Sequence, residues 1–152
     1  MNQVNNVWML IAAGSTFLAS ILHILVIVGG PDWYRFFGAG EQMAVLAERG
    51  HWYPLVVTSF ISLVLAVWGL FALSASGVIA PLPLYKWALG AITCVFLLRG
   101  LCLIPAFRFV QGLSDVFWLW SSLITLFIGS VYFIGMLKLL SVGSTNSKFL
   151  SE

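Results

Sequence analysis

The residues able to do chemistry are few, and most of them fall in one stretch. The segment Gly29–Pro54, GGPDWYRFFGAGEQMAVLAERGHWYP, carries Asp32, Arg35, Glu41, Glu48, Arg49 and His51. It holds three of the five acidic residues, two of the seven Lys/Arg and one of the two histidines. Carboxylates beside a histidine are the raw material of acid–base chemistry or of a metal site. Trp33 and Tyr34 add rings that could close over a ligand. Outside the segment, His23 and Arg99 stand alone in apolar runs.

The spacing narrows these options. A metal site built from His23, Asp32, Glu41, Glu48 and His51 would lack any HxxxH, HExxH or CxxC pattern, so no metal is expected. A nucleophile with its base is not recognisable as a Ser/His/Asp or Cys/His arrangement. The short Gly38-Ala39-Gly40 follows no strand, so it is no phosphate cradle, and no cofactor is implied. Cys94 and Cys102 lie eight residues apart in one apolar run. On a helix that is about 12 Å, too far for a disulfide, whose Cα atoms lie within about 7 Å. They read as two buried structural thiols, without the CxxC pair of a thiol oxidase.

The elements that position these groups follow from composition. The 152 residues are 61% hydrophobic and 8% charged, with mean hydropathy +1.05. A soluble domain carries roughly 25% charged residues. A chain this apolar cannot hide its surface in one small core, so lipid is the expected solvent. The net charge of +2 comes without a basic run, which argues against nucleic acid. Four runs reach the roughly 20 residues needed to cross hydrocarbon: 7–28, 54–74, 85–104 and 116–140. The first lacks the basic start and cleavage site of a signal peptide. The expected fold is all-α, four transmembrane helices in an antiparallel bundle, with a flexible tail over 141–152.

Tryptophans mark the boundaries. Trp8, Trp52, Trp87, Trp118 and Trp120 open spans and Trp68 lies near the end of one, as rings that prefer the interface should. Pro54 suits a first helical turn. Pro81 and Pro83 mark the second loop, and Pro105 the exit of the third span. Small residues form stripes: Ala12, Thr16, Ala19 and His23; Ser59, Ser62, Ala66 and Gly69; Ser122, Thr125, Gly129 and Tyr132. Such stripes let helices approach closely in lipid. They serve packing within the bundle or between copies, and a homo-oligomer is the expectation. Lys/Arg counts balance on the two sides, so the positive-inside rule decides nothing. The acids gather on the loop side, which tips the choice to cytoplasmic termini.

Within the polar segment, Asp32 can cap an aromatic turn, Trp33–Phe37, and pair with Arg35 three residues on. Glu41–Arg49 reads as a short amphipathic helix stopped by Gly50. Met43, Leu46 and Ala47 form its apolar face; Glu41 and Glu48, seven apart, share the polar one. Arg99 stands about 9 Å of helix from the end of its span, by the 1.5 Å rise per residue. An arginine there snorkels to the interface or turns inward to a partner. His23 sits at matched depth. The sharper expectation pairs Glu41 with Arg99 at the bundle mouth; the plainer one leaves the acids in water.

The run GGPDWYRFFGAGEQMAVLAERGHWYP, with WGLFALSASGVIAPLPL and LLRG, resembles a group of small, functionally uncharacterised four-helix inner-membrane proteins of Gram-negative bacteria. The likeness spans nearly the whole chain and is strongest at Pro31–Glu41 and Arg99–Gly100. It implies a multi-pass protein of the bacterial inner membrane and carries over no activity. Three functions compete. One is a non-enzymatic, oligomeric protein with an envelope-related or partner-binding role. The second is a bundle binding a lipid or small apolar ligand, isomerase-like, with His23, Glu41 and Arg99 at its mouth. The third, a small transporter, is disfavoured because Asp32, Glu41, Glu48 and Asp115 all fall in loops.

Overall fold

The computed structural model describes residues 6–101 and 115–149, with side chains in the last helix described over 119–141. Among the described residues six helices follow one another: α1 (Val7–Gly29), α2 (Pro31–Phe36), α3 (Glu41–Glu48), α4 (Trp52–Ser76), α5 (Tyr85–Leu101) and α6 (Asp115–Phe149). No strand occurs among the described residues. Within them, Val7–Gly29, Trp52–Ser76 and Leu119–Ser141 are long and apolar enough to cross a membrane. The described part of α5 has 17 residues, and the end of the expected third span, 102–104, lies outside the described residues.

The long helices run up and down. α1 packs along α4, α5 along α6, and α6 also meets α1. A central cluster joins them: Met9, Ala12 and Ala13 of α1, Leu65, Ala72 and Ala75 of α4, Leu89, Ile92 and Phe96 of α5, and Ile128, Val131 and Tyr132 of α6. The small stripes supply the contacts. Ser20 and Ser62 each donate to the other's backbone carbonyl, at 2.8 and 2.9 Å, with their oxygens 3.0 Å apart. Tyr132 bonds Thr16 at 3.1 Å and donates to the Trp68 carbonyl at 3.2 Å, tying α6 to α1 and α4. A Cβ on Gly100 would stand 2.9 Å from the Leu126 backbone. That glycine is why α5 and α6 come so close.

Several expectations need correction. Trp68 is no interfacial anchor: it stands edge-on to Phe96 at 5.3 Å, and Phe96 stacks on Tyr132 at 5.7 Å. Cys94 is exposed on α5 rather than buried, and Cys102 lies outside the described residues. Ser59 is exposed, and Thr58 takes the inward position instead. The stretch 141–149, expected as a flexible tail, continues α6. Once a helix is nucleated each further residue adds one hydrogen bond, and no proline there ends it.

Candidate functional site

The polar segment folds into two short helices over one end of the bundle. Gly30, at φ 72°, turns the chain sharply after α1, and Pro31 opens α2 with no N–H to satisfy. Asp32 therefore lies inside the first turn of α2 and does not cap it. Gly50 takes the left-handed conformation expected after α3, φ 67°. His51 has an unexpected role. Its Nδ1 accepts from the Tyr53 amide at 3.2 Å, so it caps α4. Histidine is not among the preferred capping types, which is why the sequence did not reveal this.

Tyr34 fastens the cap to the bundle. Its ring is 3% exposed, and its hydroxyl donates to the Pro54 carbonyl at 3.2 Å and bonds Thr58 Oγ1 at 3.1 Å. Val26, Tyr34 and Ala44 form a second small core, joined by Phe37, Met43 and Ala47. Leu46, expected on this apolar face, instead lines a shallow outer groove of about 380 Å³ with Glu41, Gln42 and Val45.

Arg35 is the electrostatic centre of the cap. Its Nη2 donates to Glu41 Oε1 at 2.8 Å and its Nε to Glu41 Oε2 at 3.0 Å. Its Nη1 lies 2.7 Å from Glu48 Oε1 and 3.5 Å from Asp32 Oδ1. The planar fork suits such paired contacts. The hydrogen bonds from Arg35 hold the Glu41 carboxyl below the usual carboxylate range. Reciprocally, the bonds to Glu41 and then Glu48 push the Arg35 guanidinium further up. The pairing of Asp32 with Arg35 was legible from their spacing. The capture of Glu41 and Glu48 was half legible, since their shared face was predicted but their partner was not.

The expected pair of Glu41 with Arg99 does not form, because Arg35 holds the Glu41 carboxylate on the outer side of the cap. Arg99 stands half-buried on α5, and among its interactions Nη2 donates to Ser121 Oγ of α6 at 3.4 Å. The neighbouring Ser122 hydroxyl is buried without a hydrogen-bond partner. His23 is half-buried, and its Nδ1 lies 2.7 Å from the Ala19 carbonyl of its own helix. Trp33 lies over Gly29. The structure thus gathers Asp32, Arg35, Glu41 and Glu48, and leaves His23, His51 and Arg99 apart from them. Among the described residues no group of His, Cys, Asp and Glu is arranged to hold a metal, because the three carboxylates converge on a guanidinium.

No protein-family pattern, curated protein or solved structure matches this chain. What the fold defines, among the described residues, is an all-helical protein with three long apolar helices, consistent with a membrane protein.

Proposed function

We propose that the chain is a multi-pass protein of the bacterial inner membrane, with α5 as a fourth span. It acts by assembling with copies of itself or with a partner in the envelope, not by catalysis. The observation that carries this reading is the Arg35 cluster. Asp32, Arg35, Glu41 and Glu48 of the polar segment are engaged with one another, and they make a folded cap out of carboxylates that an acid–base site would need. Large apolar side chains stand outward along the long helices, among them Leu18, Phe60, Leu63 and Phe127, as lipid or a neighbouring bundle requires. The bacterial inner membrane rests on the resemblance at Pro31–Glu41 and Arg99–Gly100.

The test is the mass of the purified chain in lipid nanodiscs, with envelope proteins that co-purify identified. An oligomer or a reproducible partner is the expected result. A lone monomer without a partner would overturn the assembly reading. Reporter fusions at the cap and at both termini check the fourth span, which requires both termini on one side and the cap on the other.

A second reading is a bundle that binds a lipid or small apolar ligand at the α5–α6 mouth. It is favoured by the buried Ser122 hydroxyl beside the contact of Arg99 with Ser121. A polar group entering there would satisfy that hydroxyl. Native mass spectrometry of wild type against Ser122→Ala separates the readings: a bound small molecule lost in the variant supports this one.

A further inference from the structure

We propose that α2, not α3, is the element that lies in the membrane–water boundary, with Phe36, Trp33 and Val28 against the lipid. The inference rests on the membrane reading and goes beyond it, because it assigns a surface and the medium that covers it. Both short helices carry apolar residues, but they use them differently. α3 turns Met43, Ala44 and Ala47 onto Val26 and Tyr34, and Ala44 is 0% exposed. That face is covered by protein, and the half-buried Val45 and Leu46 line only the shallow outer groove beside Glu41 and Gln42. α2 sends only Tyr34 fully inward; Trp33 stays 39% exposed and Phe36 81% exposed.

That outer face is built, not loose. Phe36 stands edge-on to Phe37 at 5.1 Å, and Trp33 tilts against Phe37 at 5.7 Å. The Trp33 indole lies over Gly29, so the aromatic face of α2 begins where the outward face of α1 ends. The last outward residue there, Val28, is 79% exposed, and Ile21, Ile24 and Leu25 continue the face along α1. The charged arc of α2 lies beside the aromatic one: Asp32, one helical turn before Phe36, and Arg35 belong to the cluster with Glu41 and Glu48.

A short helix with rings on one arc and charges on the other suits the interfacial layer, rings toward acyl chains and charges toward water. The other exposed aromatics at this end agree. Trp52 and Tyr53 open α4, Trp120 lies near the start of α6, and the up-and-down topology brings both starts to the level of the cap. The lipid surface is therefore the occupant, by continuity with the apolar faces of the long helices.

The test uses the full chain with Cys94 and Cys102 replaced by alanine, reconstituted in phosphatidylcholine–phosphatidylglycerol vesicles. Single cysteines carry an environment-sensitive fluorophore at Phe36→Cys, with Val28→Cys as a second probe. Asp32→Cys and Leu18→Cys are the water and lipid references. Labels at 36 and 28 should emit to the blue of the label at 32. They should resist iodide and be quenched by lipids brominated near the headgroup end of the acyl chain. Iodide quenching at 36 equal to that at 32 would overturn the proposal. So would resistance to both quenchers, which means that protein covers the patch. Because Leu18 faces outward in mid-helix, quenching there by lipid brominated deep in the acyl chain, with none at 36 by either brominated lipid, sinks this proposal alone. Lack of quenching at 18 by the deeply brominated lipid sinks the membrane reading itself.

Discussion

The cap and the helix seams join their parts by different chemistry. At the cap, α2 and α3 are held by a guanidinium and carboxylates that stand largely in water. In the bundle, α1 and α4 meet through neutral hydroxyls that are buried, Ser20 and Ser62. Exposed ion pairs are weakened by water and salt. Interhelical hydrogen bonds away from water are worth about 0.6 kcal/mol on average and at most about 1.7. Charge thus joins α3 to α2 within the cap, whereas close backbone approach holds the bundle.

The strongest way to break this contrast is to separate two long helices. Gly100→Val puts a side chain where even a Cβ would stand 2.9 Å from the Leu126 backbone. Overpacking costs about 1–3 kcal/mol and sometimes more, so a marked fall in Tm in detergent is expected. An unchanged Tm would mean that α5 and α6 are not in this register.

Next comes the α1–α4 seam. Ser20→Ala and Ser62→Ala should each cost about 1 kcal/mol, and the double variant clearly less than the sum. Additive losses would show that the reciprocal pair is not a unit. Tyr34→Phe removes one hydroxyl that serves both the Pro54 carbonyl and Thr58. A loss of about 1 kcal/mol is expected, together with faster amide exchange in α2. Exchange confined to α6 would contradict the role of Tyr34 as the cap's fastener.

The smallest global effect belongs to Arg35→Gln. The Tm should hardly move, while amides of α3 exchange faster. The sign of the pH dependence follows from Glu41, whose folded pKa is lowered from the ordinary 4.5 by its bonds to Arg35. Its contribution is fully present above the ordinary value and is lost as pH falls through the lowered one. Acid should therefore loosen α3 in the wild type from about pH 4.5 downward, and Arg35→Gln should remove most of that response. High salt should imitate the variant. A salt-insensitive α3 would mean that the apolar contacts of Ala44 and Met43 hold it alone.

The two regions also differ in how far they were legible. The long helices were plain from run length, and their starts from Pro54 and the tryptophans. The existence of α3, the stop at Gly50 and the pair of Asp32 with Arg35 followed from local rules. Two kinds of misreading stand apart: Asp32 and His51 turned on capping within two residues, whereas others depend on something distant in sequence. Trp68 reads as a boundary residue until Phe96 and Tyr132 are beside it. Ser62 reads as one of a stripe until Ser20 faces it.

Composition and local spacing already specify helices with runs long and apolar enough to cross a membrane, and place three of the five acids between the first two long helices. Those properties depend on composition and on contacts a few residues apart. Which partner each charge takes is set by the folded path of the chain. Both Arg35 and Arg99 lie toward the end where Glu41 sits, and either was chemically suitable. The turn between α2 and α3, with Gly38 and Gly40 at positive φ, folds α3 back so that Glu41 and Glu48 reach Arg35. Where two arginines can serve one carboxylate, the path of the backbone chooses between them.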